Sequence, residues 1–215
     1  MLKKIKRELS FGEEVANSIS HGTAAFIMMF LSPFIAVYIF NKTNSLLLVF
    51  SVVIFTLSIT LMFFSSMIYH FMEHKTKHKH ILRILDHIFI YVAIAGSYTP
   101  IGLYIIGGVL GITLVVLQWL MVILGILYKT LVKKSTPRIS MTIYIIMGWL
   151  AVLVLPRLLS HGNTPLMSLI FLGGVFYTIG AILYAKQFKY AHFVWHIFVI
   201  LGAVTHLIAN IFFIV

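Results

Sequence analysis

His192-Phe193-Val194-Trp195-His196 opens a run to residue 214, HFVWHIFVILGAVTHLIANIFFI, that contains no Lys, Arg, Asp or Glu. As a helix it extends about 34 Å at 1.5 Å per residue, enough to cross the roughly 30 Å hydrocarbon core of a bilayer. Its two leading histidines are four residues apart, so they share one helical face. Ionisable side chains inside a membrane are costly and mark function.

The rest of the chain extends this pattern. Its 215 residues are 61% hydrophobic and 10% charged, with a mean hydropathy of +1.06. Soluble domains are about 45–50% apolar and about 25% charged. The composition therefore predicts an all-α polytopic membrane protein, a single integral domain over residues 1–215. Seven spans are expected near 19–40, 45–70, 81–103, 105–128, 139–158, 165–185 and 192–214. With no Cys in the chain, disulfides and thiolate metal sites are excluded. Gly96, Gly173, Gly174 and Gly180 lie inside spans and are read as points of close helix packing.

The net charge of +11 would suit nucleic acid, but its distribution does not. Fourteen of the sixteen Lys and Arg residues fall in the N-terminal segment and alternate loops: Lys3, Lys4, Lys6 and Arg7; Lys75, Lys77, Lys79 and Arg83; Lys129, Lys133, Lys134 and Arg138; Lys186 and Lys189. Only Lys42 and Arg157 lie on the other side. By the positive-inside rule the N-terminus faces the cytoplasm and the C-terminus faces outward, which requires an odd number of spans. Membrane lipids are the expected partners, with anionic inner-leaflet headgroups at the basic loops; the oligomeric state stays open. Glu13 and Glu14 interrupt the basic start, and no small-residue cleavage site follows, which argues against a cleaved signal peptide. Leu2, Ile5 and Leu9 form an apolar stripe beside the lysines. Residues 1–14 are read as a short interfacial segment, with a solvated basic tail as the alternative.

This topology gives each polar group a depth. His70 closes span 2, Asp86 lies one to two turns into span 3, His192 and His196 open span 7, and His21 begins span 1. All five fall in the inner-leaflet third. Taken singly, each histidine reads as a packed, hydrogen-bonded side chain. As a set, His70, His192 and His196 read as ligands of Zn2+, since neutral imidazole suits zinc and three protein ligands plus a water form its catalytic arrangement. Asp86 would act on that water as base or hydrogen-bond acceptor. It reads as the only acidic residue in any span, with no Lys or Arg at its depth, so the ion or its water is its expected partner. Ser66, one turn before His70, would orient a ligand or the water. His74, His78 and His80 read as a solvated basic loop touching headgroups. His87 is expected to face away from Asp86. His161 is placed in an outer loop, and His206 reads as an interhelical hydrogen bond or a relay.

These residues resemble the bacterial hemolysin III proteins, which are similar to the progestin and adipoQ receptor family and, more distantly, to alkaline ceramidases. The resemblance covers nearly the whole chain. Glu14, Asn17 and His21 match its first motif; Ser66, His70 and Asp86 its second; His192 and His196, with the later His206, its third. The stretches GSYTP at 96–100 and GAILYA at 180–185 also fit. One departure is Ala191, where relatives often carry Ser. The resemblance implies a multi-pass protein of the bacterial plasma membrane with zinc on His70, His192 and His196 and Asp86 near the zinc-bound water. Three functions follow as expectations: a lipid-directed metallohydrolase acting in membrane-lipid homeostasis, a pore-forming cytolysin, and a zinc-stabilised sensor or regulator without catalysis.

Overall fold

The computed structural model describes residues 8–74, 76–132, 136–161, 163–186 and 188–214. Leu2, Lys3, Lys4, Ile5, Lys6, Arg7, Lys75, Lys133 and Lys134 lie outside the described residues, as do the side chains of Arg138 and His161. Among the described residues the structure is all helix, and seven helical stretches are long and apolar enough to cross a membrane. They are α1 (Phe11–Thr43), α2 (Leu46–Phe71), α3 (Lys77–Pro100), α4 (Gly108–Leu131), a fifth span built from α5 (Pro137–Trp149) and α6 (Leu155–His161), α7 (Thr164–Ala185) and α8 (Ala191–Ile208). Polar caps start several of them. The side chains of Ser45, Thr76 and Asn163 accept backbone N–H groups from the first turns of α2, α3 and α7.

Burial concentrates in α2, α3 and α8, which form the centre of the bundle. α1 packs on α2 and α8, α2 on α3, α3 on α4, and α7 on α8. The outward faces of α1, α4, α5 and α7 carry large exposed apolar side chains, such as Phe30, Phe34, Leu124 and Phe171, which face lipid hydrocarbon.

Three boundaries differ from expectation, each for a local reason. α1 begins at Phe11 rather than near 19. Ser10 and Glu13 form a capping box that starts the helix early, so residues 11–14 continue span 1 instead of forming a separate interfacial piece. Glu13 and Glu14 are consequently buried within α1, and Asp86 is not the only acidic residue in a span. α3 begins at Lys77, capped by Thr76, which makes His78, Lys79 and His80 helical rather than part of a loop. α4 runs to Leu131, about one turn further than expected, because a π-helical stretch at Ile101–Ile106 and a turn at Gly107 and Gly108 delay its start. Both turn glycines have positive φ, 60° and 57°.

Among the glycines read as packing points, Gly96 lies against Ser58, Gly173 against His206 and Gly180 against Phe198, whereas Gly174 faces open space. The fifth span is broken in mid-course, where five residues, Leu150–Val154, wind as a 3-10 helix. The Tyr98 hydroxyl donates to the Gly148 carbonyl at 2.6 Å and accepts from the Ala151 N–H at 2.9 Å, so the break is satisfied from α3.

The starts of α1, α3, α5 and α8 and the ends of α2, α4 and α7 share one end of the bundle, the end that carries most of the basic residues. This end is expected to face the cytoplasm. A reporter active only outside the cell should be active when fused after Val215 and silent when fused after Thr130; the reverse pattern would overturn the assignment.

Candidate metal centre

Three histidines from two non-adjacent parts of the chain meet near the basic end. One ring nitrogen from each of His70, His192 and His196 lies within 4.8 Å of the others. His70 comes from the last turn of α2, while His192 and His196 come from the first two turns of α8. The Nε2 atoms of His70 and His192 are 3.0 Å apart. Nitrogens on adjacent corners of a zinc tetrahedron with 2.0–2.1 Å bonds would be about 3.3 Å apart, so this pair already has close to the needed separation.

Two of the three histidines are oriented from behind by hydrogen bonds. The His70 Nδ1–H donates to Glu14 Oε2 at 2.5 Å, which leaves Nε2 as the lone-pair nitrogen. The Asn17 side-chain amide stands 3.5 Å from the same Nδ1, but the carboxylate takes the proton. The His196 Nδ1–H donates to the Asn17 carbonyl at 3.2 Å, with the Ser20 hydroxyl also 3.2 Å away. His196 is fully buried and its Nε2 has no partner in the protein. A buried acceptor without a partner is expensive and needs an explanation. A cation held by the three Nε2 atoms supplies one, and the donor set of three neutral imidazoles fits a transition metal of the zinc, copper, iron or nickel type. His192 is flanked by Tyr184 and Trp195, with ring centroids 5.2 and 5.1 Å away.

Charge around the site is balanced in pairs. Glu14 Oε1 accepts from Lys79 Nζ at 2.7 Å and lies 3.2 Å from His74 Nε2. Lys79 is only 8% exposed and also donates to the Met72 carbonyl at 3.0 Å. Lys79 thus differs from the solvated-loop reading, because Glu14, a buried anion on α1, draws it inward, while His74 stays in the loop and exposed as expected although it reaches the same carboxylate.

Asp86 is 4% exposed and lies outside the three-histidine set. Ser66 Oγ faces it from α2 without completing a hydrogen bond, and Lys129 on α4 is near enough to act on it electrostatically. The expectation that no basic residue shares its depth is therefore wrong. The longer α4 brings Lys129 into a helical last turn, where it is buried. His87 does not face entirely away either, since its Nδ1 is 3.8 Å from Asp86 Oδ2 and 2.6 Å from the Arg83 carbonyl. His21 is fully buried and stacks flat on His196, with centroids 3.6 Å apart and planes 3° from parallel, but it does not belong to the ligand set. His206 donates through Nε2 to the Ile170 carbonyl at 3.1 Å, the interhelical bond that is one of its two expected readings.

The Haemolysin-III related family profile matches residues 9–207. The chain belongs to that family. This member is 36% identical over 202 residues to the Hemolysin-3 homolog of Bacillus subtilis (strain 168), covering 94% of each chain. It is 32% identical over 216 residues to Hemolysin-3 of Bacillus cereus, covering 100% of this chain and 98% of the other. It is also similar to the human monocyte to macrophage differentiation factor, at 28% over 160 residues, 71% of this chain and 66% of that one. With its seven apolar helices, this family member is a multi-pass cell-membrane protein whose surface meets membrane lipid.

Sequence reasoning missed the work of Glu13, Lys79, His74 and Lys129, and it had Glu14 and Asn17 only through the family resemblance. A signal was present. Glu14, Asn17 and His21 are spaced i, i+3, i+7, one face of a helix that had been started too late to include them.

Proposed function

We propose that this family member is a zinc-dependent hydrolase of lipid amide or ester bonds, acting in membrane-lipid turnover. The observation that supports this best is the unpartnered, fully buried Nε2 of His196, set beside two further imidazole nitrogens, with the buried Asp86 carboxylate outside the set but within electrostatic reach of His70. His70, His192 and His196 would hold the ion. When bound, zinc supplies Lewis acidity and brings the pKa of a water to about 7. Asp86 takes the proton from the attacking water and returns it to the departing amine or alcohol. The elements of water are thereby divided, hydroxyl to the carbonyl carbon and hydrogen to the leaving group. Ser66, buried with its hydroxyl unpaired, donates to the carbonyl oxygen as charge grows there. A site near the end of the bundle meets the linkage region of a lipid, where carbonyl groups lie.

The second reading is a zinc clamp without catalysis. It is favoured by the direct approach of α2 and α8, whose His70 and His192 already touch. Purified protein incubated with a total membrane lipid extract separates the two. Under the hydrolase reading, mass spectrometry shows lipid products that vanish with a chelator and return with added zinc. A zinc-loaded sample that yields no product across the extract leaves the clamp.

A further inference from the structure

We propose that the first two turns of α1 are the positioning clasp of the metal centre. α1 donates no ligand, yet it sets the position of all three. The inference rests on the metal-centre reading above.

Three consecutive anchors on α1 carry it. Glu13 Oε1 accepts the Tyr190 backbone N–H at 2.8 Å, while its Oε2 closes the capping box on Ser10. Tyr190 is the N-cap of α8 and sits at φ 63°, a conformation rare for a tyrosine. Fixing that residue fixes where α8 starts, two residues before His192. Glu14 accepts the hydrogen bond of the His70 Nδ1–H, and the Asn17 carbonyl accepts that of the His196 Nδ1–H. One short stretch of α1 thus reaches α2 and α8 at once, and it determines which nitrogen of two of the ligands faces inward. Lys79 completes the arrangement by neutralising Glu14 from α3, so the carboxylate stays ionised and pointed at His70 without a bare buried charge. The capping box makes this stretch helical from its first residue; without it the acidic pair would lie on an irregular tail and could not hold a defined angle. Metal affinity is therefore governed by a helix that contributes nothing to the coordination sphere.

The test measures metal binding rather than turnover. Purified full-length protein is titrated with Zn2+ against a chromophoric chelator, and its Co2+ form is read by visible absorption. Glu14→Ala is expected to weaken zinc binding by about 10- to 100-fold, the range seen when a partner behind a metal-ligating histidine is removed, and to shift the cobalt bands. Glu14→Gln keeps an oxygen that can accept the His70 proton; it should fall between wild type and Glu14→Ala and decides the matter if the alanine variant does not fold. Glu13→Ala, acting through Tyr190, is expected to cost about tenfold. If wild type loads but both Glu14 variants bind zinc within about twofold of it and keep its cobalt spectrum, the clasp is wrong, even if they melt at a lower temperature. If wild type takes up neither metal, the metal centre itself fails, and the clasp with it.

Discussion

Asp86→Asn is expected to keep the fold and a full complement of zinc while lipid turnover falls by about two to four orders of magnitude, the span attributed to a positioned proton-transfer group. The amide is the same size as the carboxylate and can take its place near Ser66, but it cannot take a proton from water. Because Asp86 lies outside the three-histidine set, its loss should not release the ion. Zinc content and product formation measured on this one variant separate three cases. Zinc retained with turnover lost supports the hydrolase. Zinc lost along with turnover would make Asp86 a ligand. Turnover unchanged would remove it from the chemistry.

The His70→Ala and His192→Ala double variant is expected to lose essentially all of its zinc, from near one ion per chain to near none, by elemental analysis. Structural zinc sites bind with apparent energies of about 10–16 kcal/mol, strongly dependent on the ligand set, and only His196 would remain. His70→Ala alone carries a second cost. It leaves Glu14 buried beside Lys79 with one oxygen deprived of its donor, so the single variant should also melt lower than His192→Ala. A double variant that kept full zinc would place the ion elsewhere.

The spans were legible in the sequence because length and apolarity alone decide them. The three-histidine cluster was legible because His192 and His196 stand four apart and His70 ends another apolar run. What the sequence did not reveal was charge placed inside a helix. Hydropathy treats Glu13, Glu14, Lys79 and Lys129 as reasons to end a span. Here Glu14 and Lys79 neutralise each other across α1 and α3, Glu13 caps its own helix, and Lys129 is drawn in beside Asp86. Each is tolerated because of a partner far away in the chain, and no local window contains that partner. The π-helical stretch before Gly107 was hidden too: it is apolar on both sides of the expected boundary near 104, and nothing in its residues marks the wider winding.

The bonds made by two tyrosines bear on how the molecule can move. Tyr98 satisfies the broken backbone of the fifth span from α3, and lower down the Tyr144 hydroxyl donates back to the His87 carbonyl at 2.9 Å. Unpaired polar groups are not tolerated in hydrocarbon: losing the first bond would strand broken backbone, and losing the second would strand the Tyr144 hydroxyl, so neither is given up cheaply. The fifth span is thus pinned to α3 at two neighbouring points in its middle, Tyr144 and the break at Gly148–Ala151, like a door leaf hung at its centre. α3 in turn packs along α2, and Lys79 near its start is tied through Glu14 to His70, so a swing of that leaf moves Asp86 and pulls on the histidines with it. A push on the lipid-facing wall therefore reaches the buried carboxylate and the three-histidine cluster through one linked frame.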